Sequence, residues 1–256
     1  MPTLQSDQEI VAIITEKIGA VPTLLTYGDD NGLIKLGLSG LALTQLPPEL
    51  WQLTNLKELY LDNNQLSQLP PEISELSSLQ WLSLDNNQLS QLPPELWQLT
   101  NLQTLWLARN QLSHLPSEIG QLGNLQELSL YQNQLSQLPL ELWQLTNLQE
   151  LYLGDNQLGQ IPPEIKQLTN LQRLRLVYNQ LSQLPPELWL LSNLVELRLD
   201  GNQLSQLPPE IGQLINLQEL WLEHEGSRIR LNGVWNGAAS SEWCFGGSRR
   251  WRVYSS

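Results

Sequence analysis

Asparagine recurs at Asn64, Asn87, Asn110, Asn133, Asn156, Asn179 and Asn202, each 23 residues after the last. Around every one of them the chain reads L-x-x-L-x-L-x-x-N-x-L-x-x-(L/I)-P-x-x-(L/I)-x-x-L-x-x. Leu56, Leu59, Leu61, Asn64, Leu66, Leu69, Pro70, Ile73 and Leu76 fill one copy. A weaker first copy spans 33–55, with Leu41 in the Asn place, and a last copy starts at Leu217 and fails after Leu222. The chain therefore holds eight full copies and a partial ninth. A fixed period of this size restricts the fold to a stacked array, in which each unit packs only on its neighbours.

The spacing inside one unit says what that unit is. L-x-L is an alternation of period two, which puts both leucines on one side of a strand and the residue between them on the other. L-P-x-x-(L/I)-x-x-L is close to helical spacing, and the proline ends the extended run before it. Each unit is thus one short strand and one helical or 3₁₀ turn. A lone unit cannot cover its own leucines, so units stack and strands pair in parallel register. The Asn side chain both donates and accepts, and at the inner bend it satisfies backbone groups that the turn leaves unpaired.

The motif LxxLxLxxNxL followed by LPPEL or LPPEI, over residues 33–222, resembles the leucine-rich repeat family. The 23-residue LPxxIxxLxxL form is similar to the repeat arm of Roco GTPases and to the Ras-group leucine-rich repeat scaffold proteins. The resemblance implies an α/β solenoid: a curved horseshoe with a parallel sheet on the concave face and short helical or 3₁₀ turns on the convex face. It implies a protein partner held on the concave face, with a small GTPase among the candidates. The alternative it leaves open is the sensing or scaffold arm of a larger Roco-type GTPase or kinase whose catalytic part is absent here.

The two ends depart from the repeat. Residues 1–32 carry a capping-box pair, Ser6 and Glu9, followed by Ile10, Val11, Ile13, Ile14 and Ile18. This predicts a helix over 7–19 whose apolar face covers the first repeat, after which YGDDNG turns the chain into the first strand. At the other end, Glu225 stands where the next Asn belongs, and an unpaired buried carboxylate there would stop the ladder. Residues 226–256 contain five Arg against Glu242, a charge of +4, which leaves −17 of the chain's −13 total on the rest. LNGV at 231–234 is a weak hairpin signal. The segment 225–256 reads either as a basic binding arm or as a poorly ordered or truncated end.

With the scaffold letters set aside, the variable positions of the strands stand out. The residue between the two strand leucines reads Gly37, Tyr60, Ser83, Trp106, Ser129, Tyr152, Arg175, Arg198, Trp221. Two positions earlier come Trp81 and Arg173, and two later Asp62, Asp85 and Tyr131. Trp81, Trp106, Tyr131 and Tyr152 form an aromatic diagonal, with Tyr60 among the candidates on the strand before it, and Arg173, Arg175 and Arg198 cluster beside them with Tyr178 at the edge. Trp, Tyr and Arg are the side chains that supply most interface hot spots. These nine residues are the candidate partner site, and the arginines point to an acidic segment, since guanidinium pairs carboxylates bidentately. A second column, Trp51, Trp97, Trp143 and Trp189, recurs every 46 residues on the turn side. It reads as packing between turns, and it marks a pair of repeats as the unit of duplication.

Other chemistry is excluded by what is absent. Only His114 and His224 are present, neither with a second ligand at metal spacing, and Cys244 is the one cysteine. No nucleophile–base arrangement and no G-x-x-x-x-G-K-[ST] occurs, so no enzyme activity, cofactor or metal is expected. A net charge of −13 argues against nucleic-acid and anionic-membrane binding. The amino-terminal residues lack the basic and apolar regions of a leader peptide, so a cytoplasmic setting is the expectation.

Overall fold

The computed structural model describes residues 6–222, together with the backbone of three short segments at 230–231, 242–244 and 250–254. The stop at Glu225, His224 and hairpin positions 232–234 lie outside the described residues.

Helix α1 (Asp7–Ile18) opens with the expected capping box: the Ser6 hydroxyl accepts from the Glu9 N–H at 3.3 Å, and the Ser6 N–H donates to Glu9 Oε2 at 2.8 Å. It closes on Gly19, whose φ of 66° is the left-handed cap that glycine takes without strain. Ile10, Val11 and Ile14 are buried against the first repeat. The Asp7 carboxylate accepts the Leu33 N–H at 2.6 Å, and Lys17 pairs with Glu49 at 2.6 Å.

Strand β1 (Leu24–Tyr27) was not foreseen: it pairs antiparallel with β2 (Leu33–Gly37) through the YGDDNG turn, so the array starts with a hairpin rather than a bare edge. An open edge strand leaves its N–H and C=O groups unpaired, and β1 satisfies them. Gly37 permits the approach: a Cβ there would stand 2.7 Å from the Cβ of Leu24.

From β2 the ladder runs one strand per repeat: β3 (Glu58–Tyr60), β4 (Trp81–Ser83), β5 (Thr104–Trp106), β6 (Glu127–Ser129), β7 (Glu150–Tyr152), β8 (Arg173–Arg175), β9 (Glu196–Arg198) and, after the two-residue β10 (Gln206–Leu207), β11 (Glu219–Trp221). Every neighbouring pair is parallel, and the register is offset by the 23-residue period at each step, as in Tyr60↔Ser83 and Tyr152↔Arg175. The sheet does not end where the repeat does. β11 pairs in parallel with β14 (Arg250–Tyr254), which pairs antiparallel with β13 (Glu242–Cys244), while β12 (Arg230–Leu231) lies parallel to β10.

Each return is a 3₁₀ turn of five residues, such as Pro94–Gln98, entered from an extended proline. Leu59, Leu61, Leu66, Ile73 and Leu76 of one copy are wholly buried, and their equivalents along the stack form one continuous core. The tryptophan column belongs to that core: Trp97, Trp143 and Trp189 are at most 1% exposed. The turns carrying them pack most closely on the Ile-bearing turn just before, pairing the repeats two by two.

The Asn column holds adjacent units together. Asn133 Nδ2 donates to the carbonyl of Leu130 in its own repeat and of Leu107 in the one before, at 3.1 and 2.9 Å. Its Oδ1 accepts the Leu112 N–H at 3.0 Å. The same pattern holds at Asn87, Asn110, Asn156 and Asn179. A second asparagine ladder runs along the outside, unremarked in the sequence: Asn101, Asn124, Asn147, Asn170, Asn193 and Asn216 each donate to a backbone carbonyl 24 residues earlier.

Candidate functional site

The strand residues that alternate with buried leucines face the inside of the horseshoe. They line an open trough of about 820 Å³ that extends from Tyr60 to Asp200. Of the nine residues singled out from sequence, Tyr60, Trp106, Tyr131, Tyr152, Arg175, Tyr178 and Arg198 line it. Trp81 and Arg173 sit one column to the side, at the start of β4 and β8.

The aromatic diagonal is two groups rather than one line. Tyr60 and Trp81 have ring centroids 6.1 Å apart, and Trp81 meets Trp106 edge-on at 4.8 Å. These three rings form a half-buried shelf, and Ser83, the register partner of both Tyr60 and Trp106, is buried. The Tyr60 hydroxyl donates to Glu58 at 2.7 Å, and burial together with that bond pushes its pKa up to about 12. Tyr131 is likewise held near 12 by its bond to Asp155 and by burial. Tyr152 hydrogen-bonds Glu150, and burial with that partner raises its pKa further.

The arginines are not free. Glu196, only 6% exposed, lies among all three. Arg175 grips it twice, Nε to Oε1 at 2.9 Å and Nη2 to Oε2 at 3.3 Å. Arg198 Nε approaches Oε1 at 2.6 Å, and Arg173 Nε stands 3.8 Å from Oε2 while its Nη1 pairs with Glu150. Burial alone would raise the Glu196 pKa; the bonds and charges of Arg175 and Arg198 overcome it and hold the carboxyl below its ordinary value. Arg175 also lies over the Tyr152 ring at 4.8 Å and Arg198 over Trp221 at 4.4 Å. The acidic-segment expectation treated these guanidinium groups as available to a partner. They are already engaged, and three Arg against Glu150 and Glu196 leave the cluster one positive charge.

Glu196 is the residue that sequence reasoning missed. Its signal was available: it is the direct register partner of Arg173. A column was missed too. The residue before each ladder Asn is left-handed throughout, as is Gly40 before Leu41 in the first copy: Gly40, Asn63, Asn86, Arg109, Gln132, Asp155, Tyr178 and Gly201, with φ between 49° and 72°. Glycine and asparagine suit this conformation, whereas a long side chain held there costs about 1–2 kcal/mol. Tyr178 folds over Gly201, where an added Cβ would fall 2.3 Å from its ring.

Asp62 and Asp85 line the other half of the trough, with Arg109 beyond them. Asp85 accepts the Ala108 N–H at 2.6 Å, yet burial and then the neighbouring Asp62 lift its pKa to about 6. Glu127 is raised by burial and by Glu150. Among the described residues no group of three or more His, Cys, Asp or Glu could hold a metal ion, and no helix is long and apolar enough to cross a membrane.

Comparison with known proteins bears on the fold and on the kind of site. Family models described as a leucine-rich repeat region and a leucine rich repeat match residues 45–154 and 146–204. A search of curated protein sequences found no match. Among solved structures, a leucine-rich repeat protein of Leptospira interrogans is 38% identical over 75% of this chain, with a TM-score of 0.52, and this chain spans 60% of its length. The leucine-rich repeat ectodomain of the plant membrane receptor kinase GASSHO1/SCHENGEN3 of Arabidopsis thaliana, in complex with Casparian strip integrity factor 2, is 38% identical over 80% of this chain and 25% of its own, with a TM-score of 0.67. Internalin C2 of Listeria monocytogenes is 25% identical over 87% of this chain and 92% of its own, with a TM-score of 0.67. The two family models together cover residues 45–204, more than half the chain, on the ladder described above. The chain belongs to the leucine-rich repeat family.

Proposed function

We propose that the concave face is a binding surface for a segment of a protein partner, and that the chain works by recognition without catalysis. One observation carries the reading. At the left-handed column the backbone favours the Gly40, Asn63, Asn86 and Gly201 type of residue, yet the trough holds Arg109 and Tyr178 there. Strained positions that persist in a regular scaffold cluster where ligands are held. The Arabidopsis ectodomain, determined with a bound partner, is an instance of this fold used for recognition.

The LPxxIxxLxxL form favours a second reading, in which the chain is the sensing arm of a larger Roco-type GTPase or kinase and works in the cytoplasm. It uses the same face, so a small GTPase or an acidic segment would be recognised there. An acidic segment has the one residual positive charge of the arginine cluster to meet.

Affinity capture tests the reading. The wild-type chain is used as bait beside Trp106→Ala/Tyr178→Ala and the convex-side Glu118→Ala. The expected result is a partner retained by Glu118→Ala and lost by the double variant. A partner retained equally by all three baits removes the concave face from the proposal.

A further inference from the structure

The two halves of the trough treat their aromatic rings differently. In the carboxy-terminal half two rings carry a guanidinium from the adjacent strand: Arg175 lies over Tyr152, its register partner, and Arg198 over Trp221, its register partner. A buried carboxylate, Glu196, supplies the counter-charge. In the amino-terminal half the rings and carboxylates are present, but no guanidinium lies over a ring; Arg109, further along the trough, acts on Asp85 only through space, without an ion pair. The register partners of Tyr60 and Trp106 on the next strands are Ser83 and Ser129. Among the described residues no Arg or Lys stacks on Tyr60, Trp81 or Trp106, and neither Asp62 nor Asp85 forms a salt bridge. Both aspartates line the same trough as the rings.

We propose that the shelf of Tyr60, Trp81 and Trp106 receives an arginine or lysine side chain from the partner protein, with Asp62 and Asp85 as its counter-charges. The proposal rests on the concave-face reading and makes it specific: the partner segment is basic where it crosses β3 to β5. An aromatic face flanked by carboxylates attracts a cation through the ring quadrupole and through Coulomb attraction together. The rigid shelf needs no rearrangement to do so, since its rings already pack against one another. The −17 carried by residues 1–225 favours approach of a basic segment over an acidic one.

The test uses the full chain and two synthetic probes, acetyl-Gly-Arg-Gly-Gly-Arg-Gly-amide and the same peptide with Glu in place of Arg, titrated by calorimetry at low salt. The arginine peptide is expected to bind and the glutamate peptide not to. Trp106→Leu and the Asp62→Asn/Asp85→Asn double variant should each weaken binding roughly three- to tenfold. Ser129→Arg should abolish binding, because it recreates on Trp106 the guanidinium that Arg175 places on Tyr152. Circular dichroism melts confirm that each variant folds. Should a variant not fold, Asp62→Asn alone, at a half-buried position, carries the comparison.

Tighter binding of the glutamate peptide overturns the proposal. So does arginine-peptide binding that none of these substitutions changes. Spermine binding as tightly as the arginine peptide would replace the protein segment with a small polycation. The two readings fail differently: a captured partner lost on Tyr178→Ala but kept by Trp106→Leu and Asp62→Asn leaves the concave face standing and removes only the cation.

Discussion

Replacing Asn133 by Ala deletes a side chain that serves two repeats at once. The Leu112 N–H has only Asn133 Oδ1 as its acceptor and would be left buried and unpaired. The carbonyls of Leu107 and Leu130 would each keep one donor, from Asn110 and Asn156. An orphaned buried N–H costs about 1–3 kcal/mol, and each shared bond lost adds about 0.5–1 kcal/mol, so the expected destabilisation is roughly 2–5 kcal/mol. Asn124 is the control: it makes one exposed bond, to the Thr100 carbonyl at 2.9 Å, and its loss should cost under about 1 kcal/mol. Asn133→Asp preserves the shape and the acceptor but turns the donor into a charge facing two carbonyls. Burial raises the folded-state pKa of that Asp above its unfolded value of about 3.9, so its charge penalises the fold above that pH. Asn133→Asp should therefore destabilise more at pH 8 than at pH 4, while Asn133→Ala should not vary. Urea melts followed by circular dichroism read all three. Equal costs for Asn133→Ala and Asn124→Ala would refute the reasoning, because burial would then not be what gives this asparagine its weight.

The arginine cluster gives a second pH signature. The folded pKa of Glu196 is depressed, so its contribution to stability is present above the ordinary glutamate range and is lost as pH falls through the depressed value. Glu196→Gln should cost about 1–3 kcal/mol at pH 7 and little at pH 2, read from thermal melts at both. Trp143 is wholly buried, so Trp143→Ala should cost about 3–5 kcal/mol; its indole N–H has no acceptor, so Trp143→Phe should cost clearly less, by urea titration. Gln132, exposed at a φ of 52°, takes a conformation that Asn63 and Asn86 fill in their repeats; Gln132→Asn should stabilise by about 0.5 kcal/mol, and a loss of stability would contradict the strain argument.

The ladder could be read from the sequence because the period forces the same physical problem on each unit. Leu59 or Leu130 has one place to go, and Asn64 or Asn133 must meet the backbone groups of the bend. The amino-terminal helix was equally legible, since Ser6, Glu9 and Gly19 state its ends locally. The hairpin strand β1 was not, because nothing in Leu24–Tyr27 alternates: its first two residues are both exposed. The site was half legible. Its residues follow from the columns, but their pairing does not: an arginine in a column reads as a free charge until register sets Glu196 beside it. The left-handed column was visible in Gly40, Asn63, Asn86 and Gly201, and Arg109 and Tyr178 within it obscured the pattern.

The close pairing of each tryptophan-bearing turn with the isoleucine-bearing turn before it sets the step by which this molecule can change length. Excising 46 residues, for example 92–137, rejoins like with like: every turn keeps the kind of neighbour it had, and the asparagine bonds reform across the splice. Excising 23 puts two turns of one kind face to face and leaves a seam. Shortening or growth of the array is therefore quantised in pairs. Each step moves two strands' worth of inner surface in or out, so the breadth of partner a descendant could span changes in fixed increments while the core chemistry stays the same.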